Sequence, residues 1–361
     1  MADDENLVDY FVMTEFGNNG VTNPAGHSDK GTYLTDASVT LKHVPGAKVR
    51  LGMFKYPGSE EGLQAVFVSP YMNFTTMTDQ LLLERSASKV GAAQTGAAAG
   101  GALTTHYAGT ASGPVGAFRD TGVQIFDTLD VSKDWKVSYA YMLGNGTGVS
   151  LETSDKQRTH YGYLALEEEF GAGRGYYTES MKFYIWGMKG TRTLLSGTGQ
   201  TPTITGNLTP KEFDRNRYGL GMTYYRDGLR FEAELTKAEG MIFTGAKDTS
   251  SDPAVVDWDF QFAADKSNKA DGGYVNLQYE IVPKKFEVFG RYDWMSRLTN
   301  DEKGQRDFTT TTLGCSYRLK GSTRIDFNYA MREAKAPGNS AAQLVLDNMG
   351  DRYGVMVTAE F

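Results

Sequence analysis

RIDFNYAMR, residues 324–332, decides the fold. Ile325, Phe327, Tyr329 and Met331 alternate with Arg324, Asp326, Asn328, Ala330 and Arg332. Period-two alternation belongs to an extended chain whose successive side chains point to opposite faces. The same pattern spreads outward. Downstream, Tyr353, Val355, Val357, Ala359 and Phe361 alternate with polar or small residues. Upstream, Leu313, Cys315, Tyr317 and Leu319 mark one face, then Val288, Tyr292 and Trp294, then Val275, Leu277, Tyr279 and Ile281. Each run covers roughly 9–11 residues, the length of a tilted strand that crosses a bilayer.

The 361 residues include 42 Gly and 21 Tyr but only 10 Pro. That mixture suits many strands joined by tight turns. Mean hydropathy is −0.43. A low average is compatible with a membrane barrel, because lipid-facing and lumen-facing residues alternate. No run of about 18 apolar residues marks a transmembrane helix. Cys315 is the one cysteine, which excludes an internal disulfide and a cysteine-built zinc site. The net charge of −7 argues against nucleic acid as partner. The start, Met1-Ala2-Asp3-Asp4-Glu5-Asn6, lacks basic and apolar leader regions. It is expected to be a mature start from which a signal peptide has been removed.

Connections alternate between tight and long. Pro45-Gly46, Gly171-Ala172-Gly173, Arg226-Asp227-Gly228, Pro283-Lys284 and Lys320-Gly321-Ser322 are tight; 145–156, 189–213, 243–270, 299–307 and 334–350 are long. Short turns on one side and long loops on the other is the layout of an outer-membrane barrel. A large soluble β-protein is the competing reading, since antiparallel sheets also alternate. The pattern gives eleven strands from Asp120 onward and three before it, at about 6–16, 33–43 and 48–56. Residues 57–84 are expected to supply two more, for sixteen; fourteen and eighteen are the alternatives. The expected fold is an all-β transmembrane antiparallel barrel of about 16 strands, one domain over 1–361.

Several ordered segments carry a resemblance. Arg50-Leu51-Gly52-Met53-Phe54-Lys55-Tyr56-Pro57 resembles the RxGxFKxPF element of the phosphate-selective porin O and P family. LLLERS (81–86) is similar to its FxERS, FRDTGVQI (118–125) to its GRDRGV, and YMLGNGTGV (141–149) to its NGTG segment. FGRYDWM (289–295), TTLGCSYRLKGSTRIDFNYA (311–330) and the last strand are similar to later strands of that family. No one motif is specific; their order is. The resemblance implies a trimeric porin with a loop folded into the lumen and anions such as phosphate as solutes. It implies no cofactor, and a lipid bilayer with lipopolysaccharide as surroundings. The chain departs from the family in its mixed lumen charge and in lacking an Arg-rich stretch in the expected loop.

A pore needs a wet lumen, a constriction and a field rather than bond-making chemistry. The candidate pore-lining and anion-binding residues are Arg50, Lys55, Arg85, Lys89, Arg119, Lys136, Lys182, Arg217, Arg291, Arg318 and Arg324. Ion pairing within the wall is the competing role for each. Lys55 faces either the pore mouth or the membrane interface. From Gly91 to Ala102 every residue is Gly or Ala except Gln94 and Thr95. In the resembling porins this interval holds the constriction loop, so 85–119 is the candidate, with an extracellular loop as the alternative. Trp135, Trp186 and Trp294 read as an aromatic girdle.

Other chemistry finds little support. His27, His43, His106 and His160 are scattered without metal or triad spacing. The aspartates of loop 243–270 match no calcium motif. A barrel enzyme, a barrel that docks or sheathes a partner protein, and a non-selective general porin remain the alternative functions.

Overall fold

The computed structural model describes residues 7–16, 32–65, 68–84, 106–110, 118–149, 158–171, 173, 178–197, 209–248, 258–263, 266–319 and 323–359. The strands are β1 (Val8–Phe16), β2 (Thr32–Leu41), β3 (Lys48–Lys55), β4 (His106–Thr110), β5 (Arg119–Asp130), β6 (Trp135–Gly144), β7 (Thr159–Glu169), β8 (Ser180–Gly197) and β9 (Thr209–Arg226). They continue as β10 (Leu229–Gly240), β11 (Ile242–Asp248), β12 (Trp258–Ala263), β13 (Lys269–Val282), β14 (Phe286–Arg297), β15 (Arg306–Arg318), β16 (Arg324–Lys335) and β17 (Arg352–Thr358). Two short helices, α1 (Glu60–Leu63) and α2 (Ser340–Leu346), and a π-helical turn at Thr78–Leu83 complete the set.

Fourteen strands follow one path, β1-β2-β3-β5-β6-β7-β8-β9-β10-β13-β14-β15-β16-β17. Every neighbouring pair is antiparallel, as in β14–β15 and β15–β16. The path begins at β1 and ends at β17, with no ladder between them among the described residues. β4 pairs with the extended end of β8, and β11–β12 form a separate hairpin.

The alternation read from the sequence is the alternation of the wall. On β16, Phe327, Tyr329 and Met331 are exposed, while Arg324, Asp326 and Asn328 are buried. On β13, Val275, Leu277, Tyr279 and Ile281 point out and Tyr274, Asn276 and Gln278 point in. An apolar outer face over a polar inner face is the inverse of a soluble barrel and suits a hydrocarbon surround. The β9–β10 turn shows how tightly one side is joined: Asp227 and Gly228 both have positive φ, 51° and 76°. Two such residues make the type I′ hairpin whose twist matches that of its strands.

The eleven strands after Asp120 and the three before it stand. The two expected from residues 57–84 do not. That segment runs through α1 and the π-turn and lies against the inner wall. Pro57 and Gly58 break the strand, Ser59 stands at the N-terminal boundary of α1 with Glu60 and Glu61 in its first turn, and Leu81, Leu82 and Leu83 are consecutive rather than alternating. Two long loops are also shorter than expected: β8 and β9 stay paired out to Ser196 and Thr209, inside 189–213, and 243–270 contains the β11–β12 hairpin.

Candidate functional site

The lumen is organised by residues 56–84, which enter after β3 and touch the wall strand by strand. Glu234 on β10 is the first anchor. Its carboxylate accepts from Ser59 Oγ (3.1 Å), the Glu60 backbone N–H (3.0 Å), Tyr184 Oη (2.8 Å) and Trp186 Nε1 (3.0 Å). Tyr184 and Trp186 reach it from β8 only because β9 carries glycine between them. A Cβ on Gly219 would lie 2.2 Å from Trp186 Nε1, and one on Gly221 would lie 2.4 Å from the Tyr184 hydroxyl.

Further contacts follow along the loop. Lys182 Nζ meets the Glu60 carboxylate at 2.8 Å, and Gln64 Nε2 donates to Glu232 at 2.8 Å. Arg291 pairs with Glu61 (3.2 Å), donates to the Asn73 carbonyl (2.8 Å) and lies over the Tyr71 ring. Arg324 donates to the Val68 and Ser69 carbonyls, and Asn328 to that of Pro70. Arg217 donates to the carbonyls of Leu81 (2.9 Å) and Met241 (2.6 Å). Arg215 takes the Leu82 carbonyl and pairs with Glu84 at 2.7 Å. Burial pushes the Glu61 carboxyl above its ordinary range, and Arg291 and the Thr75 hydrogen bonds pull it back.

Apolar packing reinforces these bonds. Met77 and Leu81 are fully buried with Ala238, Ile242, Ala270, Tyr274 and Met295. Tyr56, Leu82 and Leu83 are buried with Phe54, Phe118, Met142, Tyr161, Tyr184, Trp186 and Met188. Each fully buried Leu or Met contributes about 1.5–3 kcal/mol. The segment is thus a fixed inner wall rather than a flap.

Three of the family-like motifs meet here. Lys55, from the FKYP element, pairs in register with Arg119 of FRDTGV. Asp120 then accepts from the backbone N–H of Gly146 (2.7 Å), in the NGTG segment, and from Tyr161 Oη (2.9 Å). Spacing alone does not show that these motifs touch.

The candidate bases divide by partner. Arg119 pairs with Asp36, Lys136 with Glu169, and Arg318 with Glu280 and Glu287. Lys182, Arg217, Arg291 and Arg324 hold the in-folded segment, and Arg324 also pairs with Asp326. Lys55 points inward rather than to the membrane interface, its Nζ donating to the carbonyls of Leu63 (3.4 Å) and Gln64 (2.7 Å) at the end of α1. Arg50 makes no ion pair among the described residues. Its Nε donates to Thr40 Oγ1 (3.1 Å), and its guanidinium lies over Phe126 (4.7 Å) and Phe54 (5.4 Å). Arg85, Lys89 and the Gly/Ala stretch lie outside the described residues.

Trp186 is not part of the outer girdle: it is 4% exposed and faces the lumen. Trp294 does sit on the outer face, stacked on Tyr292. Sequence reasoning missed Arg215 and the anchoring role of Glu234. Arg215 lies beyond the 189–213 loop and shares the inward parity of Arg217, so the signal was present in the sequence. Among the described residues no group of His, Cys, Asp and Glu could hold a metal ion.

The geometry defines a transmembrane-type β-barrel with a segment folded into its lumen. No protein-family profile and no curated protein matches the chain. Solved structures similar to it are outer-membrane proteins, porins and channels among them. OmpT, an outer-membrane protein of Vibrio cholerae, in its trimer form, aligns with a TM-score of 0.48 at 13% identity, covering 92% of this chain and 82% of that one. The outer-membrane channel DcaP of Acinetobacter baumannii gives 0.47 at 10% identity over 97% and 79%. An anion-selective porin from Comamonas acidovorans gives 0.46 at 14% identity over 84% and 69%. At these scores the likeness carries no inference about solute.

Proposed function

We propose that the protein is an outer-membrane porin through which small hydrophilic solutes diffuse passively, with anions preferred over cations. One observation carries the preference. Most candidate bases on the inner wall pair with a carboxylate, but half-buried Arg50 on β3 has none within ion-pair distance among the described residues, Asp36 and Asp9 acting on it only at longer range. A guanidinium without a contact ion pair in a narrow, low-dielectric passage favours anions. Phosphate is one candidate solute, a homotrimer in a lipopolysaccharide-containing membrane is the proposed assembly, and no bond-making chemistry is invoked.

The constriction is proposed to continue from 56–84 into 85–119. Both roots of that stretch support it: Glu84 is fully buried against Arg215, and Phe118 is 3% exposed. Arg85 and Lys89 are then pore-lining. A Gly/Ala-rich backbone leaves room in a crowded lumen.

A non-selective general porin is the second reading. It is favoured by the pairing of Lys48 with Asp127, Lys136 with Glu169 and Lys182 with Glu60, which leaves most of the wall neutral. The reversal potential of the purified protein in a planar bilayer under a KCl gradient separates the readings. Anion preference that falls in Arg50→Ala and Arg85→Ala supports the proposal. A zero-selectivity value favours the general porin, and cation preference or no conductance refutes the anion channel.

A further inference from the structure

The surroundings of Arg50 identify a class of solute. With the channel reading above as its premise, we infer that the wall beside Arg50 binds carboxylates that carry a flat apolar body, in preference to small or multiply charged anions. The guanidinium is fixed on three sides, by Thr40 Oγ1 at 3.1 Å and by the rings of Phe126 and Phe54 at 4.7 and 5.4 Å. Its two terminal nitrogens have no partner among the described residues, so the fork that matches a carboxylate is presented ready-made.

Gln124 on β5 lies in register with Arg50, and the inner surface next to it along β5 and on to β7 is apolar. In register with Phe126 on β5 stand Ala140 on β6 and then Tyr163 on β7. All three are only partly buried, whereas the inner residues one step further round, Trp186 and Tyr184, are covered. Strands lie about 4.8 Å apart, so Phe126 and Tyr163 stand about 10 Å from each other with the small Ala140 between them. A planar ring resting on Ala140 meets an aromatic side chain at each edge while its carboxylate reaches Arg50.

Charge count decides against phosphate at this station. The nearest other base on β3's inner face, Lys48, is held by Asp127 at 2.8 Å. One guanidinium, with Asp36 and Asp9 already acting on it at longer range, suits a monoanion; a strongly hydrated dianion would lose more solvation than one guanidinium returns.

The test records KCl current through the purified full-length channel in planar bilayers with benzoate, acetate or inorganic phosphate added. Benzoate is expected to interrupt the current at about tenfold lower concentration than acetate, the ring contacts supplying the difference. Phe126→Ala should shrink that ratio below about twofold, and Phe126→Leu should fall between. Arg50→Ala should remove block by benzoate. Equal block by benzoate and acetate, or block by phosphate at the lowest concentration, overturns the inference. The KCl reversal potential keeps the two failures apart: a conducting, anion-preferring channel without benzoate preference sinks only the solute class.

Discussion

Exchanging Glu234 for glutamine is expected to loosen α1 from the wall without removing the barrel. In the native lumen Oε2 accepts from Ser59, the Glu60 N–H and Tyr184, and Oε1 accepts from Trp186. An amide has one acceptor oxygen and one N–H2 group. If the oxygen takes the place of Oε2, the N–H2 faces the indole N–H; if it takes the place of Oε1, the N–H2 faces the loop donors. Either way at least one buried donor loses its acceptor, a cost of about 1–3 kcal/mol. Only Ser59 and Glu60 belong to the in-folded segment, so the second orientation weakens the latch and the first weakens the aromatic support behind it. A 1–3 kcal/mol loss raises the undocked population of α1 roughly 5- to 150-fold. Single-channel recording reads this as more frequent excursions to higher conductance, with the unfolding temperature lowered on a heat-modifiability gel. Gln64→Ala removes one neutral-donor bond to Glu232 at 2.8 Å and should act in the same direction but less. Event frequency and noise indistinguishable from wild type in Glu234→Gln would refute the idea that this carboxylate holds the constriction.

Three other outcomes are expected. Gly219→Val places its Cβ within 2.2 Å of Trp186 Nε1, so the rigid ring must move and the barrel should lose about 1–3 kcal/mol, read by thermal unfolding and a shifted tryptophan emission. Asp351 is held below the ordinary carboxylate range by hydrogen bonds from Tyr329 Oη and the Arg332 N–H. A lowered folded-state value means its contribution is present above about pH 4 and lost as pH falls through the folded value; loop 336–351 should therefore become more sensitive to an acid-active protease, and Asp351→Asn should be sensitive at neutral pH already. Arg306, Arg332 and Arg352 make no ion pair among the described residues, and the inner-face register places them near the long-loop mouth. Replacing all three with serine should cut anion conductance more at 0.05 M than at 1 M salt, because steering is screened; an equal fractional loss at both would contradict a steering role.

The strands were legible because each carries its own instruction. Phe327 and Asp326 differ in environment for a reason local to the pleat, and the register of β15, β16 and β17 follows from matching apolar faces. The same parity was available for Trp186. Phe183 and Ile185 are exposed on the outer face, so the residue after Ile185 must face in, beside Tyr184. Treating tryptophan as a membrane-interface residue overrode that local signal.

The in-folded segment was illegible for a different physical reason. Its partners lie far away in the chain: Ser59 bonds Glu234, Glu61 pairs with Arg291, and Val68 bonds Arg324. Nothing within residues 56–84 states that an acceptor waits 175 residues downstream. The same distance problem governs the bases. Arg291 and Arg50 look alike as inward arginines on alternating strands, and a count of charges treats them equally. The fold gives Arg291 a carboxylate, a carbonyl and a ring, all from the in-folded segment, and gives Arg50 only a hydroxyl and two rings. Which arginine is free to meet a solute is therefore set by where the segment lies, and not by the strand that carries it. A segment whose polar contacts run from β8 to β16 leaves Phe126, Ala140 and Tyr163 on β5 to β7 only partly covered, with Arg50 at their border. On the proposed reading, the selectivity of the pore follows from what is left uncovered.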